Sequence, residues 1–199
     1  MCRMSKKLLL LAAAGAGVLF LTSQANAYQT LATQDQALQM VLGTGVQITP
    51  IVKKLVSHEE KREVERKLGD RLVYKSPVGE NWGVEPTTTF TFYKGTRDGK
   101  EVGVALIDVE PGRWGQNTFM IGLNPDGSVK RVVVMKYREQ WGRPIANKVW
   151  LKQFIGKNIK SPIEVGKDID SVSGATISSS SAAFAVKKAV ALYWALFLK

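Results

Sequence analysis

The spacing of apolar residues along the chain changes period several times. Between residues 33 and 56, Ala37, Leu38, Val41 and Leu42 recur at helical intervals, and Gly43, Gly45 and Pro50 then interrupt them. This stretch predicts a short helix followed by an extended segment. Ser57 and Glu60 form a capping-box pair, the charges from Glu59 to Lys67 suit a solvated helix, and Gly69 supplies a stop, so 58–68 is expected as a surface helix. From Arg71 to Tyr137 the period becomes two. Segments 87–93, 101–109, 117–123 and 129–136 are rich in Val, Ile, Thr, Phe and Tyr, with Gly, Pro, Asn and Asp between them. They predict an antiparallel meander, and Asn124-Pro125-Asp126-Gly127 predicts the turn of a hairpin between the last two. Helical spacing returns with Val149, Trp150 and Phe154 in 147–155, where Trp150 and Phe154 are expected in the core. A last helix is expected from about Ser181 to Leu198, and its apolar run from Ala189 suits packing on the sheet. A sheet meander with flanking helices is an α+β fold, divided here into a helical N-terminal preface at 28–80 and the main domain at 81–199.

The first 27 residues stand apart from this pattern. Arg3, Lys6 and Lys7 precede an apolar run from Leu8 to Leu21, and Ala25-Asn26-Ala27 follows as an A-x-A cleavage site. These are the three parts of a secretory signal peptide, expected to leave a chain beginning at Tyr28. The run of fourteen residues is shorter than the roughly 20 that span a bilayer, so retention as an anchor is the weaker alternative.

Setting aside Arg3, Lys6 and Lys7 lowers the net charge from +11 to +8, so the exported part stays basic. The basic residues are scattered rather than arranged in a stripe, and an exported protein rarely meets nucleic acid. Anionic lipid headgroups or an acidic redox partner are the expected counterparts, and a solvated basic surface that keeps the protein in solution is the equal alternative. The one cysteine, Cys2, lies in the leader, which leaves no disulfide, thiol nucleophile or thiolate metal site beyond it. The one histidine, His58, has no second histidine, and no cysteine beyond the leader, with which to share a metal, and it falls on the predicted surface helix rather than beside an activated serine.

The stretch with the most chemistry is Asp170-Ser171-Val172-Ser173-Gly174-Ala175-Thr176-Ile177-Ser178-Ser179, just ahead of the expected last helix. It reads either as a serine-rich helix cap or as a phosphate site, because small residues allow close approach and a helix N-terminus offers unpaired N–H groups. The order of residues adds to this. It resembles the Asp-x-x-(Ser/Thr)-Gly-Ala-(Thr/Ser)-x-(Thr/Ser) signature of the FMN-binding domain family, found in FMN-carrying subunits of sodium-translocating NADH:quinone reductase and Rnf complexes. Asp170, Ser173, Gly174, Ala175, Thr176 and Ser178 fill the six specified positions.

The resemblance implies that a flavin transferase joins FMN through a phosphoester to the hydroxyl of Thr176. It extends over roughly residues 85–195, including Tyr137 to Arg143 and Trp150 to Lys157. Where the membrane-complex subunits usually have a Glu-Thr-Pro-Gly-like loop, this chain has Arg138-Glu139-Gln140-Trp141-Gly142, which places it nearer the exported single-domain members. On this reading Ile177, Ser178 and Ser179 continue the phosphate loop, Trp141 and Gly142 flank the flavin ring, and Glu139 tunes its charge. Gln153 and Lys157 are weaker candidates for ring or phosphate contacts. Trp141 also reads as a core or interface residue, and Trp114 as a flavin neighbour or a partner contact. The implied protein is an extracytoplasmic electron carrier. Its partner would be a redox protein such as a cytochrome, or a membrane quinone- or NADH-linked complex. A flavin reductase of a small acceptor and a flavin-free scaffold subunit are the alternatives.

Overall fold

A computed structural model describes residues 28–138 and 144–199. Six strands form one fully antiparallel sheet in the order β1-β6-β5-β4-β3-β2. The four central ones are β3 (Thr89–Arg97), β4 (Lys100–Pro111), β5 (Gln116–Leu123) and β6 (Val129–Tyr137). They are the expected meander, a residue or more longer at most ends. The β5–β6 turn has Gly127 at φ +81°, and the Gly127 N–H donates to the Asn124 carbonyl at 2.9 Å. Asp126 Oδ1 accepts from the Ser128 N–H at 2.9 Å and from its hydroxyl at 2.7 Å, which locks the turn locally.

The sheet does not stop at residue 81. β1 (Gln29–Thr30) pairs with β6 and β2 (Gln47–Lys54) with β3, so both edges come from the segment expected as a helical preface. Pro50 lies within β2, which its edge position tolerates because one side of the strand needs no ladder partner. The two helices expected between these strands are present. α1 spans Gln34–Leu42 and α2 spans His58–Leu68, the latter with its capping box formed and Gly69 left-handed at its end. His58 is exposed, and α2 buries only Val64 and Leu68.

Alternation along the strands divides two cores. Ala105 and Met120 face α1, where they meet Ala37, Leu38, Val41 and Leu42. A Cβ at Gly122 would stand 2.8 Å from Val41 Cβ, so glycine is what lets α1 lie flat on this face. Val104, Leu106, Phe119, Ile121 and Leu123 face the larger core, built with α2 and with α4 (Thr176–Tyr193). A π-helical turn, Trp194–Leu198, extends α4. Together they form a helix long and apolar enough to cross a membrane, yet 67% of its most apolar window is buried inside this domain.

Two expectations need correction. The last helix begins at Thr176, not near Ser181. Serine is a middling helix former, but Ser178, Ser179 and Ser181 are buried inside the fold, and packing outweighs propensity there. The 147–155 element is one α-turn, α3 (Lys148–Leu151), followed by a 3-10 turn at Lys152–Phe154. Trp150 and Phe154 are core residues as expected, in edge-to-face contact at 5.3 Å.

One polar cluster interrupts the larger core. Lys188 on α4 is 3% exposed and pairs with Asp108 Oδ1 at 2.8 Å and with the Glu110 carboxylate, both on β4. Lys188 also donates to the Leu72 carbonyl at 3.0 Å, and the Tyr74 N–H donates to Glu110 Oε2 at 2.7 Å. Burial pushes the Glu110 carboxyl well above the usual range, and the neighbouring Asp108 charge adds to the effect. Burial works against the charge on Lys188, but Asp108 and Glu110 outweigh it and hold its pKa above the usual lysine value. The cluster ties α4 to β4 and to the long connection after α2.

Lys188→Ala should therefore destabilise the domain by about 3–5 kcal/mol, because two buried carboxyls lose their cation. A carboxyl whose pKa is raised on folding contributes stability while protonated, and that contribution is lost as pH rises from the ordinary value of 4.5 through the folded one. Urea unfolding should thus show a smaller deficit for the variant near pH 4.5 than at neutral pH. An equal deficit at both would contradict the assignment.

Candidate functional site

The segment before α4 is fastened by the element that precedes it. Trp150 Nε1 donates to the Asp170 carbonyl at 2.7 Å, and the Asp170 N–H donates to Gln153 Oε1 at 2.8 Å. Both backbone groups of Asp170 are thereby held from α3 and its 3-10 extension. The Gln153 amide also donates to the Trp150 carbonyl at 3.3 Å, which fixes its orientation. Lys157 pairs with Asp168 at 2.7 Å. Against the opposing effect of partial burial, that ammonium and the Glu164 N–H hold the Asp168 carboxyl below its ordinary value. Gln153 and Lys157 thus meet the protein chain at Asp170 and Asp168, and both brace the loop.

The loop then reverses. The Ala175 N–H donates to the Val172 carbonyl at 2.9 Å and Gly174 has φ +76°, the left-handed position at the third residue of a type II turn. Ser179 closes the loop from inside. Its Oγ accepts from the Val172 N–H at 3.2 Å and donates to the Ala175 carbonyl at 2.9 Å, and the residue is fully buried. Ala175 points into the core at 5% exposed and caps α4 with no side-chain bond.

The consequence is a sorting of hydroxyls. Asp170, Ser171, Ser173, Gly174 and Thr176 are exposed, Ile177 is half-buried, and Ser178 and Ser179 are buried. Thr176 is the first residue of α4, at the end where amides lack intrahelical acceptors and the helix dipole is positive. An exposed hydroxyl in that position suits a phosphate on chemical grounds.

Glu139, Trp141 and Gly142 lie outside the described residues. The chain around them leaves the end of β6 at Arg138 and rejoins at the 3-10 turn Pro144–Ala146, whose Ile145 is buried in the same core as Ala175. Trp114 is half-buried on the β4–β5 loop, with the Arg113 guanidinium 5.2 Å from its ring.

Residues 112–191 match the FMN-binding domain. That stretch, 80 of the 199 residues, is what is similar to the FMN-binding domain family. A relative, one of the subunits of the ion-translocating oxidoreductase complex of Shewanella oneidensis, is 30% identical over 112 residues, 49% of this chain and 52% of that protein. The chain thus spans about half the length of this curated relative. The crystal structure of Shewanella oneidensis NqrC aligns with 83% of this chain and 85% of its own, with a TM-score of 0.48 and 16% identity.

FMN fits what this domain presents at Thr176. A phosphate there would sit at the positive end of the α4 dipole, and the exposed rim of the loop leaves room for the nucleotide to extend away from the core. A cavity among the described residues lies elsewhere. Its volume of about 430 Å³ is bounded by Leu72, Phe90, Leu106, Asp108 and Lys188, and by no residue of the signature. Lys188 is twelve residues along α4 from Thr176, about 18 Å at 1.5 Å per residue. Sequence reading passed over Lys188, Asp108 and Glu110. The available signal was their phase: 104, 106, 108 and 110 share a strand face, so two carboxylates follow Val104 and Leu106 into the core and require a buried cation.

Loop closure by Ser179 is directly testable. Ser179→Ala should cost about 1 kcal/mol, since the half-buried Val172 N–H loses its acceptor. Ser173→Ala, on the exposed rim, should stay within about 0.5 kcal/mol. Hydrogen exchange at the Val172 amide should quicken in the first variant alone; unchanged exchange there would refute the closure.

Proposed function

We propose that this protein is an electron-transfer flavoprotein whose FMN is joined by a phosphoester to Thr176. The observation that carries the reading is the sorting of hydroxyls in the first turn of α4. Thr176 is exposed at the helix start, while Ser178 and Ser179 are buried. In the attachment step, Thr176 Oγ1 forms the new bond to phosphorus and the bond from phosphorus to the donor's leaving group breaks. The hydroxyl proton passes to that leaving group or to a base on the transferase. The phosphate would then sit at the N-terminal end of α4, while Trp150, Gln153 and Ser179 hold the loop that carries Thr176. The bound flavin supplies one-electron and two-electron chemistry. The chain's own contribution is placement.

On this reading, residues 1–27 direct export and the domain works on the extracytoplasmic side. There it exchanges electrons with a cytochrome or with a membrane complex related to the one its Shewanella relative is named for. Glu139, Trp141 and Gly142 are proposed to lie beside the ring.

With a flavin transferase present, wild-type protein should carry flavin fluorescence through a denaturing gel, and peptide mapping should place it on Thr176. Thr176→Ala should fold, losing about 1 kcal/mol or less, and show no covalent flavin; Thr176→Ser keeps a hydroxyl and should retain some. Covalent flavin in Thr176→Ala, or mapped to another residue, defeats the proposal. Mass spectrometry of protein from its host should give Tyr28 as the first residue. Finding Met1 in the membrane fraction would reject cleavage.

A further inference from the structure

At one corner of the sheet, aromatic and cationic side chains collect where the described chain begins. Lys136 Nζ sits 4.5 Å from the centre of the Tyr28 ring, and the Arg138 guanidinium is 5.6 Å from it. The Tyr28 hydroxyl accepts from the Gln116 N–H at 3.2 Å, which joins this corner to the β4–β5 loop and its Arg113–Trp114 pair. Arg113 and Lys136 are exposed, Tyr28 is 39% exposed, and Trp114 and Arg138 are half-buried. Among the described residues none of the three cations forms an ion pair. The segments nearest this corner, 28–34, 111–119 and 133–138, contain no Asp or Glu, with Asp35, Glu110 and Glu139 directly beyond their ends. The next carboxylate after Arg138 is Glu139, outside the described residues. Arg138 also keeps a buried Nε without a partner.

We infer that this corner docks on an anionic membrane surface. Tyrosine and tryptophan beside lysine and arginine is the composition of an interfacial belt, with rings at headgroup depth and cations on lipid phosphates. The place where the chain enters the domain favours lipid over an acidic protein. If the apolar run ending at Leu21 is retained in a bilayer, only six residues separate it from Tyr28, at most about 22 Å of chain. If the leader is removed after Ala27, the new α-ammonium of Tyr28 adds another positive charge to the same corner. Either way, the start of the domain adds to the attraction of this corner for an anionic surface. This inference does not depend on flavin at Thr176.

The test uses the chain from Tyr28 onward, which holds all six strands and both cores. Its partitioning is measured by co-sedimentation with vesicles of phosphatidylcholine alone and of phosphatidylcholine with about one-third phosphatidylglycerol. Three basic side chains near an anionic surface predict roughly a hundred-fold preference for the anionic vesicles at low salt, lost at high salt. The combined change Arg113→Glu, Lys136→Glu and Arg138→Gln should bring the ratio near one. Arg113→Glu alone, on an exposed loop, should lower it roughly tenfold. Lys53→Glu, Lys54→Glu and Lys100→Glu, elsewhere on the sheet, should lower it far less. Equal partitioning of wild type into both vesicles would overturn the inference, as would equal losses from the two sets of charge changes. So would salt-sensitive binding to an acidic protein with no preference among vesicles.

Discussion

Helix α4 has to be buried along almost its whole length and still offer its first residue to solvent. From Ser178 to Tyr193 nearly every side chain is covered, by the sheet on one side and by α2 and the connection after it on the other. Such a helix is apolar all round and cannot choose its depth by amphipathicity. Its position along the sheet is set at its two ends and at one point between them. At the C-terminal end, Tyr193 and Leu198 pack on Gly127 of the β5–β6 turn, where a Cβ would stand 2.8 Å from Leu198 Cδ1. Midway, Lys188 is drawn to Asp108 and Glu110. At the N-terminal end, Ala175 is inserted and Thr176 is left out.

The Lys188 cluster matters more for register than for net stability. Burying two carboxyls and one ammonium is costly, and a well-packed apolar set of similar volume would hold the fold as firmly. What the ion cluster adds is direction. An apolar helix sliding by a turn over an apolar sheet loses little, whereas displacing Lys188 by one turn strands charges on both sides. The position of Thr176 at the rim is thus tied to a contact twelve residues away.

The preceding loop is organised so that function falls on its exposed side. Its backbone is bound from within by Trp150, Gln153 and Ser179, and none of those contacts uses the Thr176 side chain. The buried serine and the exposed threonine are three residues apart on a helix and do opposite work. Conformation is fixed by the one, and the other remains available for chemistry. The proposed tether to Thr176 would need an exposed hydroxyl of this kind.

The sequence alone determined the meander, the capped surface helix and the segment that carries the family signature, because each is written locally. Period-two alternation, Ser57 with Glu60, and Asn124 to Gly127 act over a few residues, and six specified positions in nine identify the loop whatever surrounds it. Tertiary structure decided the rest. Only packing shows that residues 28–54 supply both edge strands, since Gln29–Thr30 is too short to read and Pro50 argues against a strand until its edge position is known. The start of α4 was misplaced because serines that disfavour a helix in isolation favour it when their burial inside the fold compensates. Gln153 and Lys157, weaker candidates for ring or phosphate contacts in the sequence, bond to Asp170 and Asp168 in the fold, contacts that no local pattern announces. The pairing of Lys188 with Asp108 and Glu110 joins residues about 80 positions apart, and no local pattern can express a contact whose partners meet only after the sheet has formed.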